Sequence, residues 1–317
     1  MTTARFRVTH AGPQVTVQDA GRPGLMRFGV PASGPMDRSS FAIANAALGN
    51  PPGQAAIEVS RGGLGLECLD GAVTVAIAGG GFIVQAGVHK AGSWAAVTIR
   101  AGETLTLRPG PWGSWAYLAF AGNLQAGKWL GSRATHGPSG LGGGVLAVGQ
   151  TLQIAGVSLR PEREGRIACP VWARPRHILR CVAGPQDRFF SAQTLAAFGS
   201  STFALTDAGD RMGVRLRGPA LNPEAALWVP SEPIVRGSVQ VSGDGVATVL
   251  LADHQTTGGY PKIATVISDD IDSFVQCRPH DLVTFAMIAP GAAIAVARSH
   301  HRAVSGFLDR LQHLHRR

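Results

Sequence analysis

The sequence predicts a mainly-β protein of two domains followed by a helical tail. Short apolar runs, alternating or bounded by turns, recur along most of the chain. Glycine is abundant, at 42 of 317 residues, while charged residues make up only 15%, far from the Ala/Glu/Lys/Leu bias of helical bundles. Only a few stretches carry helical periodicity. A chain of 317 residues is long enough for two domains of ordinary size, each with its own core.

Taken in order, Val15 and Val17 alternate with polar neighbours, and Ala72–Ala78 reads as a half-buried or fully buried strand. Similar runs follow at Trp94–Ile99, Thr104–Leu107, Trp115–Phe120 and Thr151–Ile154. A turn leading into an alternating strand repeats loosely from Ala101, Val148 and Pro279, as in β-barrels. Asp37 is placed to cap a helix through Phe41, Ala44 and Leu48 that stops at Gly49, and Ser191 to cap a second ending near Gly199. Near the end, Val304, Phe307, Leu308, Leu311 and Leu314 recur at steps of three and four, with Arg302, Arg310, Arg316 and Arg317 on the other faces. That tail is read as an amphipathic helix docking on the protein's own body or on a second chain. The Pro- and Arg-rich stretch 160–176 lacks apolar alternation and reads as a connector. The expected division is therefore 1–159, a β-barrel; 160–176, the connector; 177–298, a second β-barrel; and 299–317, the terminal helix.

Composition excludes several classes. The net charge of +9 comes from 26 arginines spread along the chain and three lysines, Lys90, Lys128 and Lys262, without the single basic face that phosphate backbones require, so no nucleic acid is expected. No window is long and apolar enough to span a bilayer, and the first residues lack a signal-peptide core, so no membrane association and a cytoplasmic location are expected. Cys68, Cys169, Cys181 and Cys277 are widely separated, which suits reduced structural thiols rather than disulfides or zinc. No metal is expected: His300, His301, His313 and His315 read as one basic helix face. Gly122–Lys128 follows the spacing of a phosphate-binding loop, but Trp129 replaces the hydroxyl residue that would hold magnesium, so a hairpin loop is the better reading. Gly142–Gly144 precedes a strand-like run instead of opening a helix and carries no dinucleotide signature. Neither a nucleophile elbow nor a zinc-protease helix is present.

Three segments are denser in polar groups and glycine than a plain turn requires. The first holds Asp19, Arg22 and Asp37 among Gly21, Gly24, Gly29 and Gly34; the second is Asp210-Arg211-Met212-Gly213; the third is Asp253-His254-Gln255-Thr256-Thr257-Gly258-Gly259-Tyr260-Pro261-Lys262. Singly, each reads better as a loop whose side chains cap its own backbone; the three together favour a binding role. The third, however, joins a carboxylate, amides, hydroxyls, a phenol and an ammonium to a Gly-Gly pair that lets backbone N–H groups approach a ligand, which is what an oxyanion or ureido-binding loop needs.

These segments resemble the biotin-dependent carboxyltransferase family found in urea amidolyase. The runs Gln18-Asp-Ala-Gly-Arg-Pro-Gly24, Gly29-Val-Pro-Ala-Ser-Gly-Pro-Met-Asp37, Ala56-Ile-Glu58 and Gly131-Ser-Arg-Ala-Thr135 are similar to its first subdomain. Gly184-Pro-Gln186, Asp210–Gly213, Gly237-Ser-Val-Gln240 and Asp253–Lys262 follow the second subdomain in order. Gly209, Val246-Ala247 and His254 depart from the family pattern, so ligand contacts around the Gly237–Gly245 hairpin are where this chain would differ.

The resemblance implies two cyclophilin-like β-barrel subdomains. It also implies membership of the free-standing bacterial group, whose members serve in ATP-dependent 5-oxoprolinases, are labelled as second subunits of allophanate hydrolase, or antagonise a sporulation-kinase inhibitor. The expected partners are homologues of the B-type and A-type oxoprolinase subunits, and the expected function is the opening of 5-oxoproline to glutamate. ATP is then used by the complex, at a site that can lie on a partner. The alternatives are biotin-dependent carboxyl transfer to urea or a urea-like amide, with biotin on a separate carrier, and regulatory binding of a kinase inhibitor homologous to the B-type chain. A five-membered lactam is resonance-stabilised, so its carbonyl needs activation and its carboxylate a partner. Asp37, Asp253, Tyr260 and Lys262 are the catalytic candidates. Asp19, Arg22, Asp210, Arg211, Gln240, Gln255, Thr256, Thr257, Gly258 and Gly259 are the substrate-binding candidates.

Overall fold

The computed structural model describes residues 2–224 and 229–313. The chain forms two compact units. One contains the residues up to Arg22, Ser33–Arg174 and the chain from Ala303 on; the other contains Pro23–Ala32 and Pro175–Arg302.

The first unit holds two sheets. A seven-stranded sheet runs in the order Asn123–Leu124, Thr151–Ala155, Thr3–Ala11, Leu64–Asp70, Thr104–Arg108, Ile83–Ala86, His89–Gly92. A six-stranded sheet runs Gly165–Arg166, Ala95–Arg100, Ala72–Ala78, Trp115–Phe120, Ala56–Ser60, Thr16–Gln18. Thr3–Ala11 alternates exposed and buried residues over most of its length, as a sheet with one face on the core demands. Trp115–Phe120 is buried throughout, because it lies inside the six-stranded sheet and the helix Arg38–Ala47 covers it through Phe41, whose ring meets Tyr117 edge-on at 5.8 Å. The helix begins where the sequence places it: the Asp37 carboxylate accepts from Ser40 N at 2.9 Å.

The second unit is built on a closed barrel in the order Ile178–Ala183, Lys262–Val266, Ser238–Val241, Ala247–Leu250, Gly213–Arg217, Thr202–Gly209, Leu282–Met287. Closure is made by a parallel pair in which Ile178 lies opposite Thr284. Phe198 from the helix Ala192–Ser200 stacks on Phe285 at 4.4 Å, and Phe203 packs on both rings. Ser191 caps that helix by accepting from Thr194 N at 3.1 Å.

The terminal helix runs Pro290–His313, so it begins well before the stretch in which its apolar stripe is visible. Its last turns dock on the protein's own body within the first unit. Phe307 meets Trp172 edge-on at 5.9 Å, Leu311 joins the core, and Arg163 donates to the carbonyls of Leu311 and Gln312 at 3.1 and 3.0 Å. Leu314, His315, Arg316 and Arg317 lie outside the described residues. In the connector, Pro161–Arg163 and Val171–Ala173 are single 3-10 turns, and Gly165–Arg166 adds a strand beside Ala95 and Ala96. All four cysteines are free, and burial pushes the thiols of Cys181 and Cys277 up to about 12. No helix among the described residues is long and apolar enough to cross a membrane.

Candidate functional site

In the second unit, two hairpins and one loop build a cleft of about 570 Å³. It is lined by Asp210, Met212 and Arg215 from one hairpin, Gln240 and Ser242 from the next, and Gln255 and Tyr260 from the loop. This volume lies within the range of small-molecule sites.

Two ion-handling devices shape the loops. Asp253 and Arg211 are 42 residues apart in sequence yet form a buried bidentate pair, with Arg211 Nε and Nη2 donating to the carboxylate at 2.8 and 3.0 Å. Asp253 N also donates to Arg211 O at 2.8 Å, so the pair locks the start of the Gly-rich loop to the preceding hairpin. Asp210 is exposed, and its carboxylate accepts from Met212 N at 2.7 Å and Gly213 N at 3.2 Å, capping its own turn.

Within the loop, His254 is buried and its Nδ1 lies 2.6 Å from Gln255 O. Thr256 O accepts from Ile234 N at 3.1 Å, and Thr257 and Gly258 pair with Pro233 and Glu232 as a two-stranded ribbon. Gly259 follows the ribbon, and Tyr260 stands at the cleft, 54% exposed. The loop then enters the barrel strand at Lys262.

Lys262 and Gln240 face one another across adjacent antiparallel strands. The regular pairing is broken just here, by a register shift between Val239 and Gln240. Both are buried, and neither Lys262 Nζ nor Gln240 Nε2 has a hydrogen-bond partner among the described residues. Nζ lies 3.7 Å from Glu232 Oε2, which also accepts from Gln186 Nε2; Gln186 Oε1 in turn accepts from Lys262 N at 3.2 Å. On its other side, Gln240 Oε1 accepts from Gln255 Nε2 at 3.5 Å. A buried amide donor on a cleft wall, with a buried ammonium across the ladder, suits an acceptor oxygen on a ligand.

In the first unit, Asp19 is saturated by its own neighbourhood: it accepts from Gly21 N, Ser132 Oγ, Arg133 N and Ala134 N at 2.5 to 3.2 Å. Arg22 is buried, lies over the Trp129 ring at 4.7 Å, and donates to the carbonyls of Trp129 and Ala134. Asp37 is buried at the helix cap, where Ser40 Oγ donates to it at 2.6 Å. Beside it, Tyr117 Oη donates to Glu58 at 2.8 Å and accepts from Asp37 N at 2.7 Å, while Met36 N donates to Glu58 at 2.7 Å. Burial first, then the neighbouring carboxylates of Glu58 and Asp37, holds the Tyr117 phenol well above its ordinary value.

Asp210, Gln240, Gln255 and Tyr260 are thus brought to one cleft, with Lys262 across the ladder from Gln240, and Arg211 and Asp253 bind each other. Sequence reasoning passed over Glu58, Tyr117, Gln186 and Glu232 as site residues. Glu58 carried a signal, a carboxylate inside an apolar strand run, and Gln186 directly follows the Gly184-Pro185 pair. Glu232 carried none. Among the described residues no cluster of three or more metal-ligating side chains occurs.

A family model described as carboxyltransferase domain, subdomain A and B, matches residues 28–287. The C-type 5-oxoprolinase subunit of Escherichia coli strain K12 is 33% identical over 276 residues, covering 86% of this chain and 87% of that protein. The protein of the same name from Haemophilus influenzae is 30% identical over 288 residues, covering 90% and 92%. The urea amidolyase of Lachancea kluyveri is 28% identical over 96% of this chain but only 18% of its own length. Among solved structures, TTHA0988 superposes with a TM-score of 0.79 at 33% identity over 89% of this chain, which spans 55% of it. The urea carboxylase of Kluyveromyces lactis superposes with a TM-score of 0.85 at 25% identity over 97% of this chain, which spans 29% of it.

Proposed function

Because the chain belongs to the carboxyltransferase family of paired subdomains A and B, we propose that it is the C-type subunit of an ATP-dependent 5-oxoprolinase. The observation that carries the reading is the match to two proteins named as C-type subunits of 5-oxoprolinase along about nine-tenths of both partners' lengths. It acts with homologues of the A-type and B-type subunits, is weak or inactive alone, and opens 5-oxoproline to glutamate in the cytoplasm, where free cysteines stay reduced.

Hydrolysis breaks the lactam C–N bond, adds water at the carbonyl carbon and leaves the nitrogen protonated. ATP supplies the driving force, at a site that can belong to a partner. In this chain Gln240, Gln255 and Tyr260 bind the substrate in the cleft, and the Lys262 ammonium favours negative charge on its oxygens. Asp210 and the Arg211–Asp253 pair hold the walls, with the Thr256–Gly259 ribbon as backing. Asp37, Asp19 and Arg22 organise the first unit, and Asp37 is its acid/base candidate.

The test is glutamate formation from 5-oxoproline and ATP by this chain mixed with its A-type and B-type partners, compared with each chain alone. Activity confined to the mixture supports the reading; a formed complex that makes no glutamate contradicts it.

A second reading is biotin-dependent carboxyl transfer to a urea-like amide, favoured by the likeness to fungal urea amidolyase over 96% of the chain. It requires a separate biotinylated carrier, and transfer of labelled carboxylate from such a carrier to urea would establish it.

A further inference from the structure

The Gln240 side chain presents a donor and an acceptor along one edge. Its Nε2 is buried without a hydrogen-bond partner among the described residues. Among the described residues its Oε1 receives a single hydrogen bond, from Gln255 Nε2 at 3.5 Å, which leaves a lone pair for a ligand. The residue is 5% exposed and lines the cleft. Gly258 packs against this amide: a Cβ at position 258 would stand 2.7 Å from Nε2 and press on it.

A primary amide of this kind pairs edge to edge with another amide only if the partner's N–H and C=O lie on the same side. Open-chain secondary amides are trans and cannot offer both groups at once, whereas a five-membered ring enforces the cis arrangement. We infer that Gln240 reads the cis-amide edge of a cyclic amide or ureide, with Nε2–H donating to the ring carbonyl oxygen and Oε1 accepting from the ring N–H. Lys262, opposite Gln240 on the next strand, adds positive charge that favours electron density on the bound carbonyl. The choice of lactam as first probe rests on the oxoprolinase reading; the cis-amide recognition itself does not, since a cyclic ureide presents the same edge.

The experiment is calorimetric titration of the full chain, alone and with its A-type and B-type partners, using four probes. These are 5-oxoproline, the lactone 5-oxotetrahydrofuran-2-carboxylate, which keeps the carbonyl and lacks the N–H, N-acetylglycine as a trans amide, and 2-imidazolidinone as a cyclic ureide. The expected result is binding of 5-oxoproline, with the lactone and N-acetylglycine at least about tenfold weaker, because each leaves a buried polar group unpaired. The ureide arm separates the sources: stronger binding of 2-imidazolidinone than of 5-oxoproline makes the ligand a ureide. Gln240→Leu is expected to weaken the preferred ring by at least about tenfold. Gly258→Ala is expected to do the same without removing a polar group, which covers the case of a poorly folded Gln240→Leu.

Equal binding of lactam and lactone, undiminished affinity in both variants, or no binding of either ring by the wild-type chain and its complex would overturn the inference. The two readings fail separately. Glutamate release unaffected by Gln240→Leu and Gly258→Ala sinks the recognition role and leaves the oxoprolinase assignment standing. Discrimination of lactam from lactone without glutamate release does the reverse.

Discussion

Gln240 and Lys262 stand opposite each other on neighbouring strands of the barrel, and each buries a nitrogen that has no hydrogen-bond partner among the described residues. Each unmet buried donor costs about 1–3 kcal/mol. Gln240 Nε2 carries this cost in full, whereas Lys262 Nζ keeps an ion pair with Glu232 at 3.7 Å; such burdens collect where a ligand completes the structure. Lys262→Met is therefore expected to leave the urea midpoint unchanged or to raise stability by up to about 1–3 kcal/mol, while lowering glutamate formation. A midpoint that falls with the loss of the amine would assign Lys262 to the fold, through its contact with Glu232.

Asp253 behaves in the opposite way. Its carboxylate is bound bidentately by buried Arg211, so Asp253→Ala strands a guanidinium inside the protein. A loss of about 3–5 kcal/mol is expected in denaturant unfolding. Activity lost together with stability marks a brace; activity lost at full stability would make the carboxylate chemical.

Asp37 needs a finer comparison, because it caps the helix Arg38–Ala47 as well as being an acid/base candidate. Asp37→Ala is expected to cost about 1–2 kcal/mol through the cap, and Asp37→Asn much less, since an amide oxygen still accepts from Ser40 N. The measurement is glutamate formation by the Asn variant at matched stability. Full activity removes Asp37 from the chemistry.

Tyr117 sets an alkaline limit. Its folded phenol is held well above 10.0, by burial first and by Glu58 and Asp37 next. A raised folded value means that this contribution to stability is present below the unfolded value and is lost as pH climbs from 10.0 toward the folded value. Tyr117→Phe is expected to cost about 1–3 kcal/mol near neutrality, because Glu58 loses a donor and Asp37 N an acceptor. Above pH 10 its unfolding midpoint is expected to fall less steeply than that of the wild type. Parallel curves for the two proteins would contradict the assignment.

What the sequence made legible follows from what is local. The strands Ala72–Ala78 and Trp115–Phe120 announced themselves by apolar runs, and the caps Asp37 and Ser191 by residue type and spacing. The loop after the strand Ala247–Leu250 was legible as a loop dense in glycine and polar groups, from residue type alone. The start of the terminal helix at Pro290 was not: its first turns lack an apolar stripe, and tertiary packing rather than local pattern extends it. Arg22 read as a ligand for anions, yet its guanidinium faces an aromatic ring and main-chain carbonyls more than a hundred positions away, contacts that only the fold creates. Arg211 meeting Asp253, and the pairing of Lys262 with Gln240 in the ladder, depend in the same way on the tertiary fold, which no single loop reveals.

The most direct measurement is an omission series: ATP-dependent glutamate formation from 5-oxoproline by the three-chain mixture, and by the same mixture without this chain. The expected result is ATP-dependent glutamate formation in the full mixture and none when this chain is left out. Equal glutamate in both mixtures, or a stable three-chain complex that makes none, would contradict the assignment.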